Sequence, residues 1–157
     1  MSADPEPENE SETELASFIT YRISKVHPRL NAQAAHVLRK HAGLSLLQWR
    51  IISLVNAFGP EVSSVHIINK VKLDKGLFSR TLKALVSEGY VYSKSDTADQ
   101  RRLLLSLSEK GQECYDKTIE TMRRRQAHLL HNVTDAEKNA LFSALEKLEI
   151  NSQRRDF

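Results

Sequence analysis

The chain has 157 residues, of which 40% are hydrophobic and 27% are charged, and its formal net charge is +3. These values indicate one ordinary globular domain, or two small units that share a core, and the short apolar runs exclude a membrane span. The one cysteine, Cys114, excludes an internal disulfide and a thiolate metal cluster, and we expect a cytoplasmic protein without membrane contact.

Residues 1–14 form an acidic segment with six acidic and no basic residues, so the rest of the chain carries a net charge of +9. The segment has no apolar periodicity, and we predict a disordered tail over residues 1–14 that serves solubility. Its acidity also argues against a signal peptide. The basic body behind it is typical of a protein with a polyanionic partner.

A long helical pattern follows the tail. Apolar residues recur at helical spacing from Leu15 to Ala42, and Gly43 closes the segment as a C-terminal cap. Because Pro28 lies inside this pattern, we expect a kink or a break near Val26–His27.

Two shorter helices come next. The first begins with a capping box formed by Ser45 and Gln48 and ends at Gly59-Pro60. The second, SSVHIINKV, begins after an N-cap at Ser63. Its predicted inward residues are Val65, Ile68 and Val71.

A third helix follows after the short connection KLD. Asp74 caps its start, Gly89 ends it, and its apolar stripe consists of Phe78, Leu82 and Leu85. Two helices joined by so short a turn are typical of a helix-turn-helix. The strand YVYSK, the charged loop SDTADQRR and the returning strand LLLSL then predict a winged helix over residues 44–107.

Two further helices complete the chain. Ser108 caps a long helix that runs to about His131, and a capping box of Thr134 and Glu137 opens the last one. The aligned apolar residues are Cys114, Tyr115, Ile119 and Met122 in the first, and Leu141, Leu145 and Leu148 in the second. The predicted fold class is mainly α: a winged helix-turn-helix with a helical dimerisation region built from the N-terminal helix (15–43) and the C-terminal helices (108–157).

The loop and the strand after it carry the most specific pattern in the sequence. Its members are Asp96, Asp99, Arg101, Leu107, Ser108 and Gly111. This pattern, with the segment LDKGLFSRTLKALVSEGYV, resembles the MarR family of bacterial transcription regulators over roughly residues 15–150. The resemblance implies a homodimer on a pseudo-palindromic operator, a repressor released by a small-molecule ligand. Lys72 departs from the family pattern, in which a small residue is common at this turn.

The polar face of the third helix is the predicted DNA-reading surface. Ser79 and Arg80 lie in its first turns, where helix-turn-helix proteins meet base edges. Lys75 and Lys83 are expected to reach phosphates, and Gly76 would let the backbone approach the duplex. Taken alone, the same pattern also fits a solvated helix face with ordinary charges.

The wing is the second predicted DNA contact. Arg101 at its tip is expected to enter the minor groove, and Asp99 to hold that guanidinium through a charge-assisted pair. Arg102 fits a phosphate contact and a solvent-facing strand residue equally well.

The resemblance also implies a small aromatic or anionic effector. The residues that could line its cleft are Tyr21, His36, Trp49 and Arg50. Trp49 also fits a core position, and His36 an exposed or structural one. Cys114 is predicted to be a buried, inert thiol.

Other classes of function have weaker support. The sequence has no Gly-rich phosphate loop, no His-x-x-x-His pair and no nucleophile elbow, so we expect no enzyme, no cofactor and no metal. A winged-helix adaptor that binds protein instead of DNA is the alternative, although such adaptors usually lose the basic residues present here.

Overall fold

The structure, a computed structural model, describes residues 10–72, 74–97, 99 and 102–155, with the backbone alone for residues 10–13. Along these residues run α1 (Glu10–Ser17), α2 (Ile19–Ala42), α3 (Leu46–Phe58), β1 (Val62–Ser63), α4 (Ser64–Val71), α5 (Lys75–Ser87), β2 (Val91–Ser95), β3 (Leu103–Leu107), α6 (Glu109–Leu129) and α7 (Asp135–Asn151). The predicted fold class, mainly α with a winged helix, is confirmed. The chain divides into two units between Thr118 and Ile119.

The first helices differ from the prediction in two respects. Helix α1 begins at Glu10, so the predicted disordered tail is wrong for residues 10–14, whereas residues 1–9 lie outside the described part. Glutamate, frequent in this segment, has a high helix propensity. The helical break lies at Phe18, which is extended (φ −73°, ψ 123°), and α2 continues through Pro28. A proline removes one i→i−4 backbone hydrogen bond, and the hydrogen-bonded turns on both sides keep the helix continuous through it.

Helix α3 has the predicted ends. The Ser45 hydroxyl accepts the backbone N–H of Gln48 (3.2 Å), and the Gln48 side-chain oxygen accepts the N–H of Ser45 (2.8 Å). Gly43, which ends α2, adopts the left-handed conformation (φ 68°). Helix α3 supplies much of the core, since Ile51, Ile52 and Val55 are at most 1% exposed.

The inward face predicted for α4 is wrong in phase. Ile67 is fully buried, whereas Val65 is 43% exposed. The cause is β1, a two-residue strand that the sequence pattern does not reveal. It pairs antiparallel with β3, Val62 opposite Leu105, and α4 packs against both strands with Ile67 buried.

The sheet has the order β1-β3-β2, with β2 and β3 forming the predicted antiparallel hairpin from Val91↔Leu107 to Ser95↔Leu103. Helix α5 packs on the core through its predicted stripe. Phe78, Leu82 and Leu85 are at most 5% exposed.

The last two helices begin as predicted. The Ser108 hydroxyl accepts the N–H of Gly111 (2.9 Å) at the start of α6, and Thr134 and Glu137 form a capping box on α7. Helix α7 buries none of its residues within the described chain. None of the described helices has the length and apolar character needed to cross a membrane.

Candidate nucleic-acid interface

Helix α5 presents one polar face to solvent. Its start is capped by Asp74, whose Oδ1 accepts the backbone N–H of Leu77 (2.9 Å). Opposite the buried stripe lie the five predicted residues of this helix, all exposed: Lys75, Gly76, Ser79, Arg80 and Lys83. The helix dipole adds partial positive charge at its N-terminal end, so this end suits an anionic partner.

Gly76 lies close to the side chains of Asp74 and Arg80. A Cβ built at this position would lie 3.1 Å from Asp74 Oδ1 and 4.0 Å from an Arg80 guanidinium nitrogen. The Arg80 side chain therefore extends back toward the helix N-terminus. A larger residue at position 76 would press on the capping carboxylate.

A groove of about 430 Å³ separates α5 from the wing strands. Ser79 and Lys83 line its helix side, and Ser93 and Leu103 line its strand side. Over residues 70–102 the sequence carries eight basic and four acidic residues. The helix, the groove and the hairpin thus form a basic surface. The sequence did not indicate that Ser93 lines the groove, because it is one strand serine among several.

The described part of the wing pairs Asp99 with Arg102. Arg102 Nε lies 3.1 Å from Asp99 Oδ2, and the Arg102 N–H donates to the Asp99 carbonyl (2.8 Å). The two side chains are 55% and 41% exposed, so the pair contributes less than about 1 kcal/mol. Arg101 lies outside the described residues, and its predicted pairing with Asp99 stays a prediction.

The Ser-x-x-Gly that follows the wing has a structural role. The Ser108 hydroxyl donates to the Gly89 carbonyl (2.6 Å), and the Ser108 N–H donates to the Tyr90 carbonyl (3.1 Å). A Cβ on Gly111 would lie 2.0 Å from the Tyr90 oxygen, so only glycine fits this contact. Through these contacts, Ser108 and Gly111 at the start of α6 pack against the turn that ends α5. Burial raises the pKa of Tyr90, with smaller contributions from Cys114 and Glu88, so the phenol is protonated at neutral pH.

The structure brings together two of the four predicted effector residues. Trp49 and Arg50 line a cleft between α3 and α4, whereas Tyr21 and His36 are absent from its lining. Trp49 is 7% exposed and its ring stacks on Tyr115, with centroids 5.5 Å apart. Trp49 is therefore part of the core as well as of the cleft. Sequence reasoning missed the other lining residues Ser53, Leu54, Lys70 and Val71, which carry no motif.

The remaining predicted residues lie apart from this cleft. The Tyr21 ring lies under the Lys25 ammonium, 4.3 Å from its centroid, and His36 is exposed on α2. Cys114 is partly exposed rather than buried. No group of three or more potential metal ligands occurs among the residues that the structure describes.

Comparisons with known proteins agree with this geometry. A model of the MarR family matches residues 42–102. The HTH-type transcriptional regulator BilQ of Clostridium symbiosum (strain WAL-14163) is 26% identical over 89 residues, which span 57% of this chain and 62% of that relative.

Solved structures extend the likeness to most of the chain. A MarR/EmrR-family transcriptional regulator from Acinetobacter sp. ADP1 is 29% identical with a TM-score of 0.77, covering 85% of this chain and 94% of that one. A mutant MarR from E. coli, solved with operator DNA, shares the fold at 19% identity and a TM-score of 0.69, covering 81% of this chain and 93% of that one. A capped, outward-facing basic helix, a hairpin wing and the serine–glycine contact behind them accompany this likeness, and the chain is similar to regulators of the MarR family.

Proposed function

We propose that this protein is a DNA-binding transcription regulator that binds a pseudo-palindromic operator as a homodimer. The observation that carries the proposal is the exposed basic face of α5, held rigid by its Asp74 cap and its buried stripe. The E. coli relative with this fold binds operator DNA, which supports the same role here.

Each residue of this surface has a distinct role in the proposal. Arg80 and Ser79 read base edges in the major groove, since an arginine can donate two hydrogen bonds to guanine. Lys75 and Lys83 bind phosphates and set the register, and Gly76 lets the backbone approach. On the wing, Arg101 enters the minor groove, and Arg102, held by Asp99, contacts a phosphate.

Exposed apolar residues support the dimer. On α1, on α2 and at the break between them, five apolar residues are 42–53% exposed: Leu15, Phe18, Ile19, Ile23 and Val26. On α7, Leu141, Phe142 and Leu145 are 42–54% exposed. Apolar faces of this kind mark interaction surfaces, and a second copy of the chain would bury them. The dimer would place two α5 helices about 34 Å apart, in successive major grooves.

We further propose that the protein is a repressor and that a small effector releases it from DNA. Trp49 and Arg50 are the proposed effector contacts. Tyr21 and His36 are not part of that cleft, and they are excluded from this proposal.

Fluorescence anisotropy titrations on a duplex selected by the wild-type protein from a random library would test the DNA-binding proposal. Arg80→Ala should weaken binding by about tenfold or more, because a forked base contact contributes about 1–3 kcal/mol. Lys83→Ala should weaken binding to all duplexes by a similar factor. It should also lower the slope of log binding constant against log salt concentration by about one. Lys117→Ala, an exposed lysine on α6, is the matched control and should bind like wild type.

Wild-type affinity in Arg80→Ala would contradict the assigned reading face. A wild-type protein that ignores duplex DNA at low salt would contradict DNA binding altogether and favour a protein-interaction adaptor.

A further inference from the structure

Helix α2 carries basic charges and no acidic ones. Its 24 residues include five lysines and arginines and neither aspartate nor glutamate. Three of the five, Arg22, Lys25 and Arg29, recur at intervals of three and four residues, so they lie on one face of the helix. All three side chains are exposed, and we call them the α2 basic stripe.

The contacts described for the α2 basic stripe leave its charge unbalanced. The Arg22 Nε–H donates to the Ala16 carbonyl (2.7 Å), and the Lys25 ammonium lies 4.3 Å from the centroid of the Tyr21 ring. Neither partner carries a negative charge. None of the ion pairs among the described residues includes a residue of α2. Unbalanced charges of one sign on one face attract a partner of the opposite sign.

The α2 basic stripe lies beside the apolar face that we propose for the dimer. Ile19, Ile23 and Val26 of that face are 42–51% exposed. With 3.6 residues per turn, they lie about a quarter turn around α2 from the basic stripe. A second copy of the chain that buries the apolar face would therefore leave the basic stripe open to another partner.

The acidic segment ahead of α1 matches this stripe in charge and spacing. Asp4, Glu6 and Glu8 alternate there with prolines, and the segment contains no basic residue. Proline lacks a backbone N–H and disfavours helix at the residue before it, so this sequence favours an extended backbone. Every second side chain of an extended chain points to the same side, at intervals of about 6–7 Å. The basic stripe repeats every 4.5–6 Å or so along the helix axis, about the same spacing.

The length of the chain ahead of α1 is sufficient to reach the stripe. Residues 1–9 span at most about 30 Å when extended. Helix α1, which joins them to α2, is about 12 Å long, and Arg29 lies about 15 Å along α2 from its start. Lys40, near the other end of α2, lies about twice as far along the helix and provides a comparison position.

We propose that residues 1–9 dock on the α2 basic stripe of their own chain, with Asp4, Glu6 and Glu8 as the paired acids. Each exposed ion pair contributes less than about 1 kcal/mol. The covalent connection holds the segment near the stripe at about millimolar effective concentration, so it competes with dissolved polyanions. The docked segment thereby keeps nucleic acid off α2 and directs it to the surface formed by α5 and the wing. This consequence rests on the proposed DNA binding, whereas the docking itself does not.

Carbodiimide cross-linking of the full-length protein tests the docking, since the reagent joins a carboxylate and an amine in contact through an amide bond. Mass spectrometry of the digest identifies the joined residues. We expect cross-links from residues 1–9 to Lys25 at about threefold or higher yield than to Lys40, and their loss in 1 M salt, where the Debye length is about 3 Å. A mixture of isotope-labelled and unlabelled protein separates links within a chain from links between chains.

A set of variants tests the consequence for DNA. A triple variant removes the acidic charges at constant chain length: Asp4→Asn, Glu6→Gln and Glu8→Gln. It should bind a non-operator duplex about threefold or more tightly than wild type at low salt, because the stripe becomes available to phosphates. Adding Lys25→Gln and Arg29→Gln should abolish this gain, whereas adding Lys40→Gln should preserve it. Circular dichroism checks that all variants are folded.

Four results would overturn the docking: no cross-link from residues 1–9 to Lys25, an equal yield at Lys40, links only between chains, or preferred links to Lys75 and Lys83 on α5. An unchanged non-operator affinity in the triple variant would contradict the shielding of α2. Weaker duplex binding by Lys25→Gln in the otherwise wild-type chain would assign the stripe to DNA instead of to the acidic segment. Because cross-linking needs no DNA, a wild-type protein that shows the Lys25 links and ignores duplexes would contradict the DNA-binding proposal alone.

Discussion

Helices α5 and α7 are similar as sequences and different as parts of a fold. Both begin at a side-chain cap and both carry an apolar stripe. The stripe of α5 is at most 5% exposed, whereas Leu141 and Leu145 on α7 are 49% and 42% exposed. A stripe that is buried within one chain stabilises the fold, and a stripe that stays exposed needs a partner.

The largest effect is expected at the buried stripe. Leu85→Ala should lower the free energy of unfolding by about 2–5 kcal/mol, because it removes apolar contacts and leaves a cavity at a fully buried position. Urea denaturation followed by circular dichroism measures this change. A loss below about 1 kcal/mol would mean that the core of the winged helix repacks around position 85.

The exposed apolar stripe of α7 is expected to stabilise the proposed dimer. Leu145→Ala should raise the dissociation constant of the proposed dimer by about tenfold, equivalent to about 1.4 kcal/mol of lost apolar burial. Sedimentation at several protein concentrations measures the constant, with the neighbouring exposed Glu146→Ala as control. A protein that is monomeric at all concentrations, or an unchanged constant, would contradict the use of α7 in the dimer.

The caps of the two helices extend the comparison. Asp74→Ala removes the acceptor for the Leu77 N–H at the start of α5 and should cost about 1 kcal/mol of unfolding free energy. Lys75→Ala, one residue further along the exposed face, should have little effect. If both substitutions leave the denaturation midpoint unchanged, the cap does not stabilise α5.

The cap of α7 predicts a small pH dependence. The backbone N–H and the hydroxyl of Thr134 both donate to Glu137 Oε2 (2.8 and 2.7 Å) and lower the pKa of this carboxyl below its ordinary value of 4.5. The stabilisation is therefore present above pH 4.5 and is lost as the pH falls through the lowered folded-state pKa. Thermal unfolding between pH 7 and pH 3 should show this loss in the wild type beyond that of Glu137→Gln, which keeps a neutral acceptor. An equal loss of stability with falling pH in the wild type and in Glu137→Gln would exclude the Glu137 carboxylate as the source of the loss.

Local signals in the sequence predicted most of the winged helix correctly. The Ser45–Gln48 box, the Asp74 cap and the stripe Phe78, Leu82 and Leu85 all lie where the pattern places them, because capping and periodicity involve residues three or four apart. The errors concern features with long-range causes. The phase of α4 depends on β1, whose two residues pair with a strand more than forty positions away.

The sequence by itself predicted the likeness to the MarR family, helix α5 and its outward polar residues, since spacing along one helix settles which side chains share a face. The tertiary structure alone decided that Arg102 pairs with Asp99, that Gly111 packs against Tyr90, and that Ser53 and Lys70 meet Trp49 and Arg50 in one cleft. Such contacts join residues from different elements, and only the packing of those elements brings them within reach.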